Sequence, residues 1–353
     1  MEDEIIFEVR HGIGKILLNR PQALNALTFS QIRAMDRQLR AWAEDRSVRA
    51  VTIEGAGEKA FCAGGDIRAI YESRQRNEFD ALADFYREEY ILNHFIKTFP
   101  KPYIALIDGI VMGGGVGVSI HGSHRIATER TLFAMPETGI GLFPDVGGTY
   151  FLSRCPGQIG MYLGLTGARL KAADTLYAEL ATHHVPTQRL PEIEQALWLE
   201  GVDSELYATV SCILDAYHED PGPAPLAERR EAIDRCFGEP SLDAIFQALA
   251  GEGSTWADEV LAGLRTKSPT SLLVTFKQIR LGAKLDFEQA MRIEYRLSQR
   301  FMAGHDFFEG VRAVIIDKDQ KPRWRPANLD ELSTEEVDGY FAPLEDNKEL
   351  VLG

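Results

Sequence analysis

Two carboxylates eight residues apart, Glu137 and Asp145, stand in the stretch "MPETGIGLFPDVGG" that begins at Met135. Each follows a proline, the second runs into paired glycines, and the stretch holds no lysine or arginine. A solvated charge cluster brings cations with it. Acids in an apolar loop punctuated by Gly and Pro either cap turns or face a pocket. In a pocket, carboxylates of this kind do proton-transfer or nucleophilic chemistry.

A third acid raises the same question. Over residues 79–97 the spacing predicts a helix, with Leu82, Phe85, Tyr86, Leu92 and Ile96 as its apolar stripe. Glu89 falls on that stripe, while Glu88 lies off it. A carboxylate on a buried face is costly unless it is paired or meets a ligand. A structural ion pair, a boundary position and a pocket role all remain open for it.

Two glycine-rich turns supply a different kind of group. "FCAGGDIRAIYE" at 61–72 and "GIVMGGGVGVSIHG" at 109–122 each follow an expected strand and open an expected helix. Glycine lets backbone approach a ligand closely, and the first N–H groups of a helix have no partner within it. Two such turns suggest paired donors for one developing oxyanion, although tight packing alone also demands glycine. Neither turn reads GxxxxGK[ST] or GxGxxG, so no P-loop or dinucleotide site is indicated.

The elements that must position these groups alternate in type. "KILLN" at 15–19, "RAVTIEG" at 49–55, "YIALIDG" at 103–109 and "HRIATE" at 124–129 read as strands. Between them, residues 29–45 place Ile32, Met35, Leu39 and Trp42 at helical spacing. Strands separated by helices imply an α/β layout with largely parallel strands and ligands at the strand C-termini. Beyond about residue 187 the pattern turns helical, as at 204–220 and 286–304, with a Pro/Gly connector at 219–228 and a basic, proline-broken tail at 318–326. The expected organisation is an α/β core over 1–200 and a helical region over 201–353.

Composition narrows the context. The chain has 353 residues, 45% hydrophobic and 26% charged, which suits a globular protein that buries its own core. A formal net charge of −15 with scattered cations argues against a nucleic-acid partner. The four cysteines, Cys62, Cys155, Cys212 and Cys236, show neither disulfide nor zinc spacing and fit a reducing cytosol. The start "MEDEIIFEVR" is acidic and no apolar run is long enough to span a membrane. The expectation is a cytoplasmic protein without a membrane partner, and the sequence leaves homo-oligomer formation open.

Four motifs in order, "NRPQALNAL", "AFCAGGDI", "GIVMGGGVG" and "MPETGIGLFPDVGG", resemble the enoyl-CoA hydratase/isomerase (crotonase) superfamily. The likeness covers residues 5–187 well, and "FFEGVRAVIIDKDQKPRW" at 307–324 is similar to that family's C-terminal motif. It implies a crotonase-like spiral core of ββα units that binds acyl-CoA, with a helical C-terminal region. It also implies that the N–H groups of Gly65 and Gly114 hold the thioester oxygen, and that Ala23, Ala63 and Arg68 lie against CoA. A solvated role for Arg68 stays open.

The departures bear on the reaction. Hydratases of the family carry a glutamate three residues after the second oxyanion glycine, where this chain has Gly117. They usually have glycine where this chain has Asp145. With "FYREEYILNH" at 85–94, that pattern resembles the 3-hydroxyisobutyryl-CoA hydrolase branch. The resemblance implies that Glu137 acts as general base or nucleophile and that Asp145 binds the 3-hydroxyl, with Glu89 also facing substrate. The implied reaction is hydrolysis of a short 3-hydroxyacyl-CoA of valine breakdown, without metal or redox cofactor. A hydratase or isomerase working with Glu137 alone, a non-catalytic acyl-CoA-binding protein, and an aryl-CoA dehalogenase are the alternatives. Asp66 is expected to cap a helix. His121, His124, His183 and His184 lack nucleophile-motif or metal-ligand spacing.

Overall fold

Two residues at positive φ, His11 (50°) and Gly12 (81°), turn the chain between β1 (Ile5–Arg10) and β2 (Ile13–Leu18). Positive φ at both turn positions matches the right-handed twist of a hairpin, and the two strands pair antiparallel from Ile5↔Leu18 to Arg10↔Ile13. The computed structural model describes residues 3–199, 206–345 and 348–352.

From β2 the sheet continues in parallel through β3 (Ala50–Gly55) to β5 (Tyr103–Ile107), β7 (His124–Ala127) and β9 (His183–His184). β5 is buried along its whole length, as expected for an interior parallel strand. A second sheet takes the three-residue strands β4 (Ala60–Cys62), β6 (Ile110–Met112) and β8 (Leu132–Ala134) in the order β4-β6-β8. Each repeat therefore gives one strand to the large sheet, one to the small sheet, and then a helix or helical turn. This is the expected spiral of ββα units.

The chain divides into two compact units of interleaved stretches. One comprises Met1–Gly65, Leu92–Phe133 and Leu170–Ala227; the other comprises Asp66–Ile91, Ala134–Arg169 and Glu228–Gly353. The expected boundary at residue 200 lies outside the described residues. So do Ser204 and Glu205 of the helix expected over 204–220, whose described part runs Leu206–Tyr217.

In the first unit the helix Phe29–Glu44 starts from a capping box, with Thr28 and Gln31 bonding each other's backbone N–H. It buries Ile32, Met35, Leu39 and Trp42, the stripe the spacing predicts. Sheet residues Ile104, Leu106 and Ile126 pack with Ile193 and Leu197 of the helix Leu190–Leu199 and with Val210 and Leu214 of Leu206–Tyr217. Among the described residues, the regular elements of the second unit are almost all helices, including Pro269–Gly282 and Phe287–Ala303.

One glycine holds the small sheet to the helix that follows it. A methyl group at Gly115 would sit 2.2 Å from the Cys62 carbonyl oxygen, which is backbone and cannot step aside. Gly115→Ala is therefore expected to destabilise the protein by about 1–3 kcal/mol, the range for overpacking, read as a lower calorimetric Tm. An unchanged Tm would show that the two turns are not in contact.

Candidate active site

In the first unit, β4 and β6 run parallel and each ends in a glycine turn. Gly64 (φ 116°) and Gly113 (φ 47°) take backbone conformations that side chains resist. The turns lie against each other: a methyl group at Gly64 would be 3.4 Å from the Met112 carbonyl oxygen and 3.8 Å from the Gly114 nitrogen. Gly114 opens the short helix Gly114–Gly117, so its N–H has no carbonyl of that helix to meet. Gly65 bridges Leu27 in parallel. The structure thus sets Gly65 and Gly114 on adjacent turns of one unit.

The motif "NRPQALNAL" has a positional reason in the same unit. Asn25 is completely buried at φ 56° and its amide reaches three backbone groups. It donates to the carbonyls of Ala56 (2.9 Å) and Ala60 (2.8 Å) and accepts from the Arg20 N–H (2.9 Å). Ala63 N–H donates to the Leu24 carbonyl at 3.0 Å, which brings Ala63 beside the turn Pro21–Ala23. Two of the three residues expected against CoA are thereby neighbours. The third, Arg68, belongs to the second unit, where it is exposed and donates to the Ile315 carbonyl at 3.2 Å. Asp66 accepts from the Ala69 N–H at 3.3 Å and caps the helix Ile67–Gln75.

The second unit collects the acids. Glu89 (2% exposed), Glu137 (5%) and Asp145 (5%) are all buried. Glu89 sits on the helix Phe79–Lys97, Glu137 opens the single turn Glu137–Ile140, and Asp145 lies in the loop that follows. Glu137 and Asp145 do not cap helices through their side chains here. Asp145 instead accepts from the Tyr90 phenol at 3.0 Å. Glu89 Oε1 and Glu137 Oε2 are buried and meet no hydrogen-bond partner among the described residues.

Electrostatics follows from that burial. Desolvation pushes the Asp145 carboxyl up to about 7, against the opposing pull of the Tyr90 hydrogen bond. It lifts Glu89 and Glu137 well above the ordinary glutamate range, and the Asp145 charge lifts both further. Lys267 pulls Glu137 back toward ionisation. Three carboxylates that resist joint ionisation titrate as a group, so one can take a proton near neutral pH.

Sequence reasoning missed several members of this cluster. Tyr90 is fully buried with its hydroxyl on Asp145. Burial lowers the Lys267 ammonium to about 8 while Glu137 draws it back up, and a methyl at Gly139 would stand 3.6 Å from its Nζ. Glu294 and Gln278, both fully buried, bond the backbone around Asp145. Glu294 had a legible signal: it falls on the stripe of Phe287, Met291, Ser298 and Phe301, as Glu89 falls on its own. Lys267 had none, because a lone lysine before a helix reads as surface.

The histidines belong to the first unit's framework. His124 Nε2 meets Ser211 Oγ at 3.0 Å and His183 Nε2 meets Asp215 at 3.2 Å. Burial, followed by the neighbouring His183, lowers His124 to about 4, so it is neutral at working pH. Among the described residues no group of His, Cys, Asp or Glu is placed to hold a metal ion, and no helix is long and apolar enough to cross a membrane.

Comparison with known proteins adds the following. The enoyl-CoA hydratase/isomerase family model matches residues 13–341. The mitochondrial 3-hydroxyisobutyryl-CoA hydrolase of Danio rerio is 50% identical, covering 99% of this chain and 92% of its own. That of Homo sapiens is 45% identical, covering 97% and 89%. Among solved structures, a carnitinyl-CoA dehydratase from Mycobacterium thermoresistibile superposes with a TM-score of 0.91 at 42% identity, covering 99% of each chain. An enoyl-CoA hydratase from Rhodobacter sphaeroides 2.4.1 does so at 0.91 and 38%, covering 99% of this chain and 100% of its own. The relatives' mitochondrial names overturn the cytoplasmic expectation. That expectation rested on cysteine usage, which reports a redox environment rather than an address, and on the acidic character of the first ten residues, which does not fix a compartment either.

Proposed function

The chain belongs to the enoyl-CoA hydratase/isomerase family, and on that premise we propose that its reaction is hydrolysis of an acyl-CoA thioester. The substrate is a short 3-hydroxyacyl-CoA, 3-hydroxyisobutyryl-CoA, which yields 3-hydroxyisobutyrate and free CoA. The observation that carries this reading is identity of 45–50% with proteins of that name along 94–99% of the chain. A place in valine breakdown accompanies the substrate. Nothing in the chemistry calls for a metal or redox cofactor.

The roles assigned to residues rest on the family resemblance and are supported by local geometry. The N–H groups of Gly65 and Gly114 polarise the thioester carbonyl and hold its oxyanion, donors of a kind worth roughly 3–4 kcal/mol each. Ala23, Ala63 and Arg68 line the CoA. In the general-base route, Glu137 takes a proton from water as the water oxygen bonds the carbonyl carbon. The C–S bond then breaks, and the proton passes from Glu137 to the departing thiolate. In the nucleophilic route, Glu137 itself bonds that carbon, thiolate leaves, and water opens the resulting anhydride. Asp145 keeps acceptor capacity beyond the Tyr90 bond, since a carboxylate offers about four lone-pair sites. It takes the substrate's 3-hydroxyl, and Glu89 lies against the acyl group.

The solved relatives named as a hydratase and a dehydratase favour a second reading, addition of water across a double bond. Against it stands Gly117, which puts no side chain where the family's second proton-handling acid belongs. Wild type should release thiol from 3-hydroxyisobutyryl-CoA in an acyl-CoA panel and hydrate crotonyl-CoA at a negligible rate. Efficient hydration without thiol release would replace the hydrolase reading with the hydratase one.

A further inference from the structure

The backbone around Asp145 is held in an unusual shape. Val146 has φ 50° and Gly147 has φ 92°. A β-branched residue at positive φ is strained, and such a conformation persists only where neighbours over-determine it. Two buried side chains do so. Glu294 Oε2 accepts from the Gly147 N–H at 2.7 Å, and its Oε1 accepts from the Thr149 N–H at 2.8 Å. Gln278 Nε2 donates to the Pro144 carbonyl at 2.6 Å and to Thr149 Oγ1 at 2.8 Å. The residues before and after Asp145 are thus pinned from two helices, Pro269–Gly282 and Phe287–Ala303. The second helix also steadies the carboxylate's partner: Tyr295 packs edge-on against Tyr90 at 6.5 Å, and its hydroxyl accepts from Arg87 at 2.6 Å.

Glu294 is an uncommon choice for a purely structural strap. It is completely buried and faces no cation among its hydrogen-bond partners; desolvation, with a smaller push from the Asp145 charge, drives its carboxyl up to about 8 against the pull of its hydrogen bonds to the loop. Its two oxygens are what the loop requires, because both facing groups are N–H donors and only an acceptor on each arm satisfies them.

We propose that Glu294 is the positioning residue of Asp145, fixing with Gln278 the strained turn that aims the Asp145 carboxylate at the substrate's hydroxyl. This rests on the reading of Asp145 as the hydroxyl-binding group. Glu294 touches no substrate and acts through the loop. In Glu294→Gln the amide nitrogen confronts an N–H that needs an acceptor, so one arm of the clamp opens while volume is kept.

The test is a double-mutant cycle in full-length protein, assayed by thiol release from 3-hydroxyisobutyryl-CoA. Glu294→Gln should lower kcat roughly tenfold to a hundredfold with KM little changed, but by less than about threefold in an Asp145→Ala background. Equal losses in both backgrounds would overturn the proposal and leave Glu294 a structural strap. If Glu294→Gln fails to fold, Gln278→Ala, which opens the other arm, enters the same cycle with the same expectation. A second readout needs no substrate: carbon-13 NMR titration of the Asp145 carboxyl. In Gln278→Ala, which opens the clamp without removing a charge beside Asp145, it should move from about 7 toward the ordinary 3.8 as the loop loosens and water reaches the carboxylate. An unmoved titration overturns the positioning role even if wild type proves inactive on hydroxyacyl-CoA, whereas a moved titration with an inactive wild type overturns only the proposed substrate.

Discussion

Glu137→Gln should nearly abolish thiol release while leaving acyl-CoA binding largely intact. The amide keeps the shape of the side chain but can neither take a proton nor attack a carbonyl. A general base contributes about 10²–10⁴-fold to rate, and a nucleophile contributes more. The loss should appear in kcat, measured by trapping free CoA, with KM changed by less than about threefold. Activity within about threefold of wild type would sink the assignment. The pH profile supplies a cross-check. Glu137 must be ionised to act, and burial together with the Asp145 charge holds it well above the usual 4.5. The acid limb of wild-type kcat should therefore lie well above that of an ordinary glutamate, with activity lost as pH falls through it.

The same burial has a stability consequence of definite sign. An acid whose folded pKa is raised leaves the folded chain holding protons that the unfolded chain has released. For Asp145 this applies between the ordinary 3.8 and about 7, so its contribution to stability falls as pH rises across that window. The site is maintained against its own electrostatics by the apolar core around it. Such a pattern belongs to function more often than to folding.

What was legible in the sequence follows from the range over which each signal acts. The helix Phe29–Glu44 announced itself through Thr28, Gln31 and a four-residue stripe, all local. Four strands of the large sheet, β2, β3, β5 and β7, were readable as apolar runs, but β1, the two-residue β9 and the small sheet's β4, β6 and β8 were not. In the small sheet, three residues are too few to show a period, and they are embedded in glycine turns that dominate the local reading. Glu89 could be singled out because a charge interrupts an apolar stripe. Glu294 carries the same mark more than a hundred residues after the loop it serves. Pattern alone says that such an acid is unusual, not which backbone it meets. Tyr90 was hidden for the opposite reason: a tyrosine on a buried face is unremarkable until its hydroxyl is seen on Asp145. Localisation misled because redox character and compartment are different properties.

Asp145→Ala should collapse the protein's preference for 3-hydroxyisobutyryl-CoA over isobutyryl-CoA. The two substrates differ by one hydroxyl. Under the proposed role that hydroxyl donates to a buried carboxylate that also accepts from Tyr90, and the analogue without it would leave an acceptor site unpaired. A hydrogen bond to a charged group is worth about 1.5–3 kcal/mol, which corresponds to roughly tenfold to a hundredfold in kcat/KM. Wild type should show a preference of that size, and the variant should lose it mainly by slowing the hydroxylated substrate. A turn-capping Asp145 predicts something else: a stability loss of about 1 kcal/mol and an unchanged substrate ratio. The Asp145 side chain accepts from the Tyr90 phenol and caps no following helix, which supports the first reading. Tyr90→Phe provides the control. Without the phenol, the Asp145 carboxyl loses the hydrogen bond that favours its ionised form and is pushed further up. The hydroxyl preference should then survive but require higher pH to appear. A ratio that stays at its wild-type value in Asp145→Ala, with only the melting temperature lowered, would remove Asp145 from substrate recognition and leave Glu137 to carry hydrolysis alone.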